Sequence, residues 1–228
     1  MSQTTTRSPA LATPRVIAVS GPAGSGKTTL ARALAAHLGY ALADLDTVTG
    51  PLTEIALGLF GELGVDAEAG LDSPAGRRLR AARYATLLDV ARANLAVGLG
   101  VVLSAPFTSE RHDAAAWDRA TERLGLEPGS DAAALLYLSV PADELRRRLS
   151  LRAADRDHAK LLRGPDGPGS ETLIAAAIVL DGTEPAGALL RAALASLGTA
   201  APPAPGSPRD PANPANPVIT TAPHPTPC

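Results

Sequence analysis

The chain has 228 residues, a formal net charge of −2, 45% apolar residues and 3% aromatic residues. That suffices for one domain with a core of mainly Ala, Leu and Val, and it disfavours a broad nucleic-acid-binding face. Cys228 is the single cysteine, which excludes an intrachain disulfide and a Cys-based zinc site, and a reducing, cytoplasmic setting is expected; no apolar run of about 18 residues offers a membrane span.

Residues 1–14 are polar, rich in Ser and Thr, and read as a disordered leader. Arg15–Ser20 is a short β-branched run that predicts a buried strand, followed by a glycine loop over Gly21–Gly26 and a helix over Lys27–Leu38 that Gly39 ends. A second strand is predicted at Tyr40–Asp46, a helix at Pro51–Leu63, and a long helix at Ala75–Leu99 carrying Arg77, Arg78, Arg80 and Arg83. Val101–Ala105 predicts a third strand, stopped by Pro106; a helix around Trp117 spans 109–124. Strand four is expected at Ala134–Val140, with Pro141 opening the next helix, strand five at Ile174–Leu180, and a last helix at Pro185–Leu197. Five strand–helix alternations predict a three-layer α/β domain over 15–198 with a mainly parallel five-stranded sheet. Residues 199–228 contain ten prolines and little apolar content, so a disordered tail with polyproline II character is expected.

The segment Gly21-Pro22-Ala23-Gly24-Ser25-Gly26-Lys27-Thr28 satisfies the phosphate-loop pattern and lies between a predicted strand and helix. Its glycines let backbone N–H groups turn toward phosphate oxygens, and the helix N-terminus adds a favourable dipole. Gly21, Ala23, Gly24, Ser25, Gly26, Lys27, Thr28 and Thr29 are therefore the candidate ATP-binding residues, with Lys27 reaching the β- and γ-phosphates and Thr28 offering its hydroxyl to Mg²⁺. Lys27 and Lys160 are the two lysines of the chain. Because Lys160 lies within HAKL, the N-K-x-D stretch of a GTPase is absent, and the third strand ends in Ser104-Ala105-Pro106 rather than in acidic residues. Both departures point away from GTPases and machine ATPases toward a small kinase.

The loop GPAGSGKTT, the pair Asp44-Leu45-Asp46, the strand VVLSAPF and the segment RRRLSLRAADRDHAK together resemble the small P-loop kinases of metabolites, such as shikimate and gluconate kinases, and the bacterial AAA-like predicted kinases. The resemblance spans about residues 15–197. It implies that Asp44 helps arrange Mg²⁺, and that Asp46 binds the acceptor hydroxyl as a catalytic residue beside Lys27. It also implies an arginine-rich lid, about 146–170, in which Arg152 and Arg156 supply cations to the transferring group and Lys160 helps bind the nucleotide. Arg148, Arg152, Arg156 and Lys160 recur every four residues, which puts them near one helical face. The family's acceptor pocket falls between strands two and three, where this chain has Arg77, Arg78, Arg80, Arg83 and Tyr84. Its adenine loop falls at Asp181-Gly182-Thr183. Pro106-Phe107-Thr108 stands where shikimate kinases carry a glycine triplet, which argues against shikimate.

These readings lead to an ATP- and Mg²⁺-dependent kinase acting on a hydroxyl of a small metabolite or drug, with a nucleotide-binding switch module as the alternative. A closed surface beside Asp46 would favour the switch; an open polar cleft would favour the kinase. Removing residues 200–228 deletes no apolar surface, so the melting temperature is expected to stay within about 4 °C of the full chain, roughly 1 kcal/mol of stability. A larger drop in a thermal melt would show the tail docked.

Overall fold

The computed structural model describes residues 13–62, 70, 73–152 and 172–199. The strands are β1 (Val16–Ser20), β2 (Ala41–Asp44), β3 (Val101–Ser104), β4 (Ala133–Ser139) and β5 (Ala177–Asp181). The helices are α1 (Lys27–Leu38), α2 (Leu45–Glu62), α3 (Pro74–Ala96), α4 (Ala114–Arg123), α5 (Ala142–Arg152) and α6 (Ala186–Ser196). The leader, most of the expected lid and the tail lie outside the described residues.

All five strands run parallel in the order β2-β3-β1-β4-β5. Every residue of β1 is buried, because this strand is central and covered on both faces. Its side chains alternate between two cores. Val16 and Ala18 join the cluster built with Leu87, Leu88 and Ala91 of α3 and with Trp117 of α4. Ile17 and Val19 join Leu30 and Leu34 of α1 and Leu189, Ala193 and Leu194 of α6. Burying each such Leu or Val contributes roughly 1.5–3 kcal/mol. Trp117 is thus a core residue. The parallel order brings the ends of β1, β2 and β3, and the loops that follow them, to one edge of the sheet, where ligands bind in open α/β folds.

The helix after β2 begins at Leu45, six residues before the expected Pro51, and β2 accordingly ends at Asp44 rather than Asp46. The cause is a side-chain cap. Asp44 Oδ1 accepts the Thr47 N–H at 3.0 Å, the N-cap to third-residue bond that starts a helix. Pro51 then lies inside α2 and gives up one helical hydrogen bond. Capping also sets the start of α3, where the Ser73 side chain accepts the Gly76 N–H and Pro74 occupies the first position. α4 starts at Ala114, five residues later than expected, because Asp113 caps it by accepting the Ala115 N–H. β5 starts at Ala177 instead of Ile174; Ile174 N–H donates to Arg111 O, outside the ladder.

The loop after β3 holds a residue in an unfavourable backbone conformation. Phe107 has φ 45°, the sole non-glycine in the left-handed region among the described residues. Its N–H donates to the Tyr84 hydroxyl at 3.0 Å, and its buried ring meets Tyr84 edge-on with centroids 5.9 Å apart. Ring packing therefore holds a backbone conformation that a side chain disfavours by about 1–2 kcal/mol. Removing the ring should cost roughly 3–5 kcal/mol, but Phe107→Gly is expected to retain about 1 kcal/mol more stability than Phe107→Ala. This reverses the usual order of the two substitutions, and denaturant unfolding of the pair would measure it.

Candidate active site

The loop from Gly21 to Gly26 joins β1 to α1. A Cβ on Gly21 would lie 2.9 Å from Leu138 O and 2.8 Å from Ser25 Oγ, so the loop needs glycine there for space. Gly26, the N-cap of α1, has open space around it but φ 97°, so it needs glycine for its backbone. No side chain caps α1, which leaves its first N–H groups to the loop's concavity and gives the loop the character of an anion site. Lys27 Nζ donates to Pro22 O at 2.7 Å, which holds the ammonium over the loop. The Ser25 hydroxyl is buried with no hydrogen-bond partner among the described residues.

Asp44, Thr28 and Ser104 converge beside the loop. Thr28 Oγ1 donates to Asp44 Oδ2 at 3.0 Å and lies 3.5 Å from Ser104 Oγ. Asp44 and Ser104 sit opposite each other in the β2–β3 register. Burial alone would raise the Asp44 carboxyl. Hydrogen bonds from Ser104, the Thr47 N–H, Thr28 and the Thr47 hydroxyl outweigh it and hold the group below its ordinary value. Among the described residues no group of three or more His, Cys, Asp or Glu side chains could hold a metal by itself. One ionised carboxylate with neighbouring hydroxyls does fit Mg²⁺, which takes few protein ligands and completes its shell with water and phosphate oxygens.

Asp46 lies in the first turn of α2, two residues past the end of the strand, with its side chain 64% exposed. Arg83 of α3 binds it at 2.6 Å through Nη2 and donates through Nε to Thr49 Oγ1 at 2.9 Å. The second carboxylate is therefore oriented by α3. Lys27, Thr28, Asp44, Asp46, Arg83 and Ser104 all line one open polar cleft of about 500 Å³.

Two cavities flank this cleft. One, of about 310 Å³, runs along Gly24, Gly26 and Thr29 to Arg148, Gly182 and Leu189. Arg148 donates to Gly182 O at 2.9 Å and to Glu144 Oε1 at 2.6 Å, which ties α5 to the turn after β5. Asp181 Oδ1 shapes that turn by accepting the Thr183 N–H and hydroxyl. Hydrogen bonds from Arg147 and Arg148 hold the Glu144 carboxyl down at about 2. The other cavity, of about 550 Å³, is lined by Leu45, Arg80, Arg83, Tyr84, Pro106 and Glu110, among others. Burial, with the Glu110 charge adding to it, pushes the Tyr84 phenol up to about 12 and keeps it protonated. Arg77 and Arg78 lie exposed one turn earlier on α3.

Residues 16–163 match the AAA domain family. The chain belongs to that family. The fold of this AAA-domain chain is that of small P-loop metabolite kinases. A sugar kinase from Janibacter sp. HTCC2649 superposes with a TM-score of 0.54 at 22% identity, over 82% of this chain and 96% of that one. A gluconokinase from Sinorhizobium meliloti 1021 superposes with a TM-score of 0.50 at 20% identity, over 81% and 92%. A 47-residue stretch is 47% identical to cytidylate kinase of Herpetosiphon aurantiacus; it covers 21% of this chain and 20% of that relative's length. Among the described residues no helix is long and apolar enough to cross a membrane.

The structure brings Gly21 to Thr29, Asp44 and Asp46 of this AAA-domain chain to one edge of the sheet. Arg152 ends α5, with its side chain outside the described set, and Arg156 and Lys160 lie wholly outside it. Ser104, the Arg83–Asp46 pair, Glu110 and buried Arg111 escape sequence reasoning. Ser104 needed the strand register, and the others are ordinary charged residues until α3 and the β3–α4 loop are packed together.

A carboxyl held below its ordinary value stabilises the fold above that value and loses the contribution as pH falls through the depressed one. Acid melts are therefore expected to show wild type losing more stability than Asp44→Asn as pH falls below the ordinary aspartate value of 3.8. Parallel acid limbs would show that the Asp44 network does not favour the ionised form.

Proposed function

We propose that the chain is an ATP-dependent phosphotransferase that moves the γ-phosphoryl group of ATP to a hydroxyl of a small molecule. The observation that carries this reading is the cleft itself. It runs without a break from the phosphate loop past Asp44 to Asp46 and Arg83, and an acceptor-sized cavity opens beyond Arg83. A switch module has no use for that second cavity, and the polar opening beside Asp46 favours the kinase over it.

Bound ATP and Mg²⁺ supply the phosphoryl group and a divalent charge. The chain supplies position and field. Loop N–H groups and Lys27 hold the phosphate chain, and Thr28 and Asp44 present oxygens on the metal's side. Asp46, fixed by Arg83, accepts the hydrogen bond of the acceptor hydroxyl and aims its oxygen along the line of transfer. Arg152 and Arg156 are the proposed cations on the transferring group, and Lys160 a nucleotide contact. The cavity along Arg148 and Gly182 is the proposed seat of the nucleoside.

Lys27→Ala removes the hydrogen bond to the loop's own Pro22 carbonyl and deletes no buried apolar group, and its melting temperature without nucleotide is expected to match wild type closely. Its kcat on an acceptor found by screening hydroxylated metabolites with labelled ATP should drop more than about a hundredfold, the scale of losing about 3 kcal/mol of transition-state stabilisation. Lys27→Arg should restore little, because a planar fork does not replace a compact ammonium. Wild-type turnover in folded Lys27→Ala would sink the mechanism, and a panel of acceptors that consumes no ATP above background would sink the reading.

A further inference from the structure

The cavity beyond Arg83 has a charge arrangement that the phosphoryl-transfer mechanism does not use. On its α3 side Arg83 is taken up by Asp46 at 2.6 Å. On the opposite side, in the loop leading to α4, stands Glu110. Its side chain is partly buried, and burial raises its carboxyl above the ordinary range. What partly offsets that cost is a hydrogen bond from its own backbone N–H and then the charge of Arg119, which is itself in an ion pair with Asp113 at 3.5 Å. No described side chain makes a salt bridge or hydrogen bond to the Glu110 carboxylate. Among the described residues the Glu110 carboxylate thus has the charge of Arg119 nearby but no direct side-chain partner, while Arg80 and Arg83 line the same cavity from α3.

A carboxylate in that state gains most from a ligand that brings a positive charge and N–H donors. Its neighbours Thr108 and Ser109 are hydroxyls that suit further polar groups of a small molecule. At about 550 Å³ the cavity lies within the size range of small-molecule sites. Leu45, Arg83 and Pro106 line both this cavity and the transfer cleft, so one molecule can reach from one to the other. We infer that the acceptor is a hydroxylated amine, with its reacting hydroxyl at Asp46 and its ammonium received by Glu110. The inference rests on the kinase reading for the hydroxyl end, while the ammonium end stands on the cavity alone.

The test uses matched probes on the full chain: glucosamine against glucose and gluconate, and 3-amino-1,2-propanediol against glycerol and glycerate. Binding is measured by calorimetry on wild type, Glu110→Gln and Lys27→Ala, and ATP consumption is followed in parallel. Wild type is expected to bind the amine of each set on the order of tenfold more tightly than its neutral partner, the scale of a hydrogen bond to a charged group. Glu110→Gln should erase that preference and Lys27→Ala should keep it. The inference is overturned if the neutral or carboxylate probes bind as well as the amines, if the preference survives in Glu110→Gln, or if no probe binds. Glu110-dependent amine binding without ATP consumption supports the ammonium site and counts against the kinase reading. Phosphorylation of amine and neutral probes at equal rates, with both untouched by Glu110→Gln, supports the kinase reading and overturns this one.

Discussion

Asp44 is the residue on which the site is hung. Its two oxygens face different tasks: Oδ1 caps α2 through Thr47, and Oδ2 receives Thr28 from the first turn of α1. One buried carboxylate therefore sets where the second helix begins and how it stands relative to the phosphate loop. Its charge survives burial because four donors surround it. Everything downstream follows from that start. Leu45 turns into the core, Asp46 turns outward into the cleft, and Thr49 falls one turn further on, where Arg83 can reach it.

The loop after β3 is a second constraint of the same kind. Pro106 O accepts from Ser20 Oγ at 2.6 Å and from Arg111 Nη1 at 3.1 Å. Arg111 is 2% exposed, and its guanidinium also packs over the Tyr137 ring at 5.5 Å. A buried arginine is costly unless its donors are used, and here they brace a carbonyl at the rim of the cleft. The same loop holds Phe107 in its unfavourable conformation and carries Glu110 into the cavity wall. Strain, buried charge and cavity lining occur together over residues 106–111.

Much of this was legible in the chain itself. The phosphate loop could be read from eight residues, because few backbones satisfy its glycine spacing ahead of a lysine. The five strands could be read from apolar runs, because a parallel sheet covered on both faces leaves each strand almost wholly apolar. The start of α2 could not, because two start signals compete there: Pro51 suits a first turn, and Asp44 suits a cap. The cap prevails because Asp44 is also pinned by Thr28 and Ser104, neighbours that sequence order does not reveal. The lining of the larger cavity was half legible. The arginines of α3 stand out in the sequence, but Glu110 and Arg111 acquire meaning only when the loop that carries them is folded against Tyr84 and Tyr137.

The two cavities draw their walls from different stretches of chain. The one along the phosphate loop is made by the first βα unit, α5, the turn after β5 and the start of α6. The larger one is made by α3 and the β3–α4 loop, and Leu45, Arg83 and Pro106 connect it to the cleft. Substitutions on α3 or in that loop can reshape the larger cavity without moving a residue that lines the other. Such a frame lets the wall of one cavity change in shape and charge while the wall of the other stays as it is. Arg83 lines both the larger cavity and the cleft, so a change at that one position is felt in both.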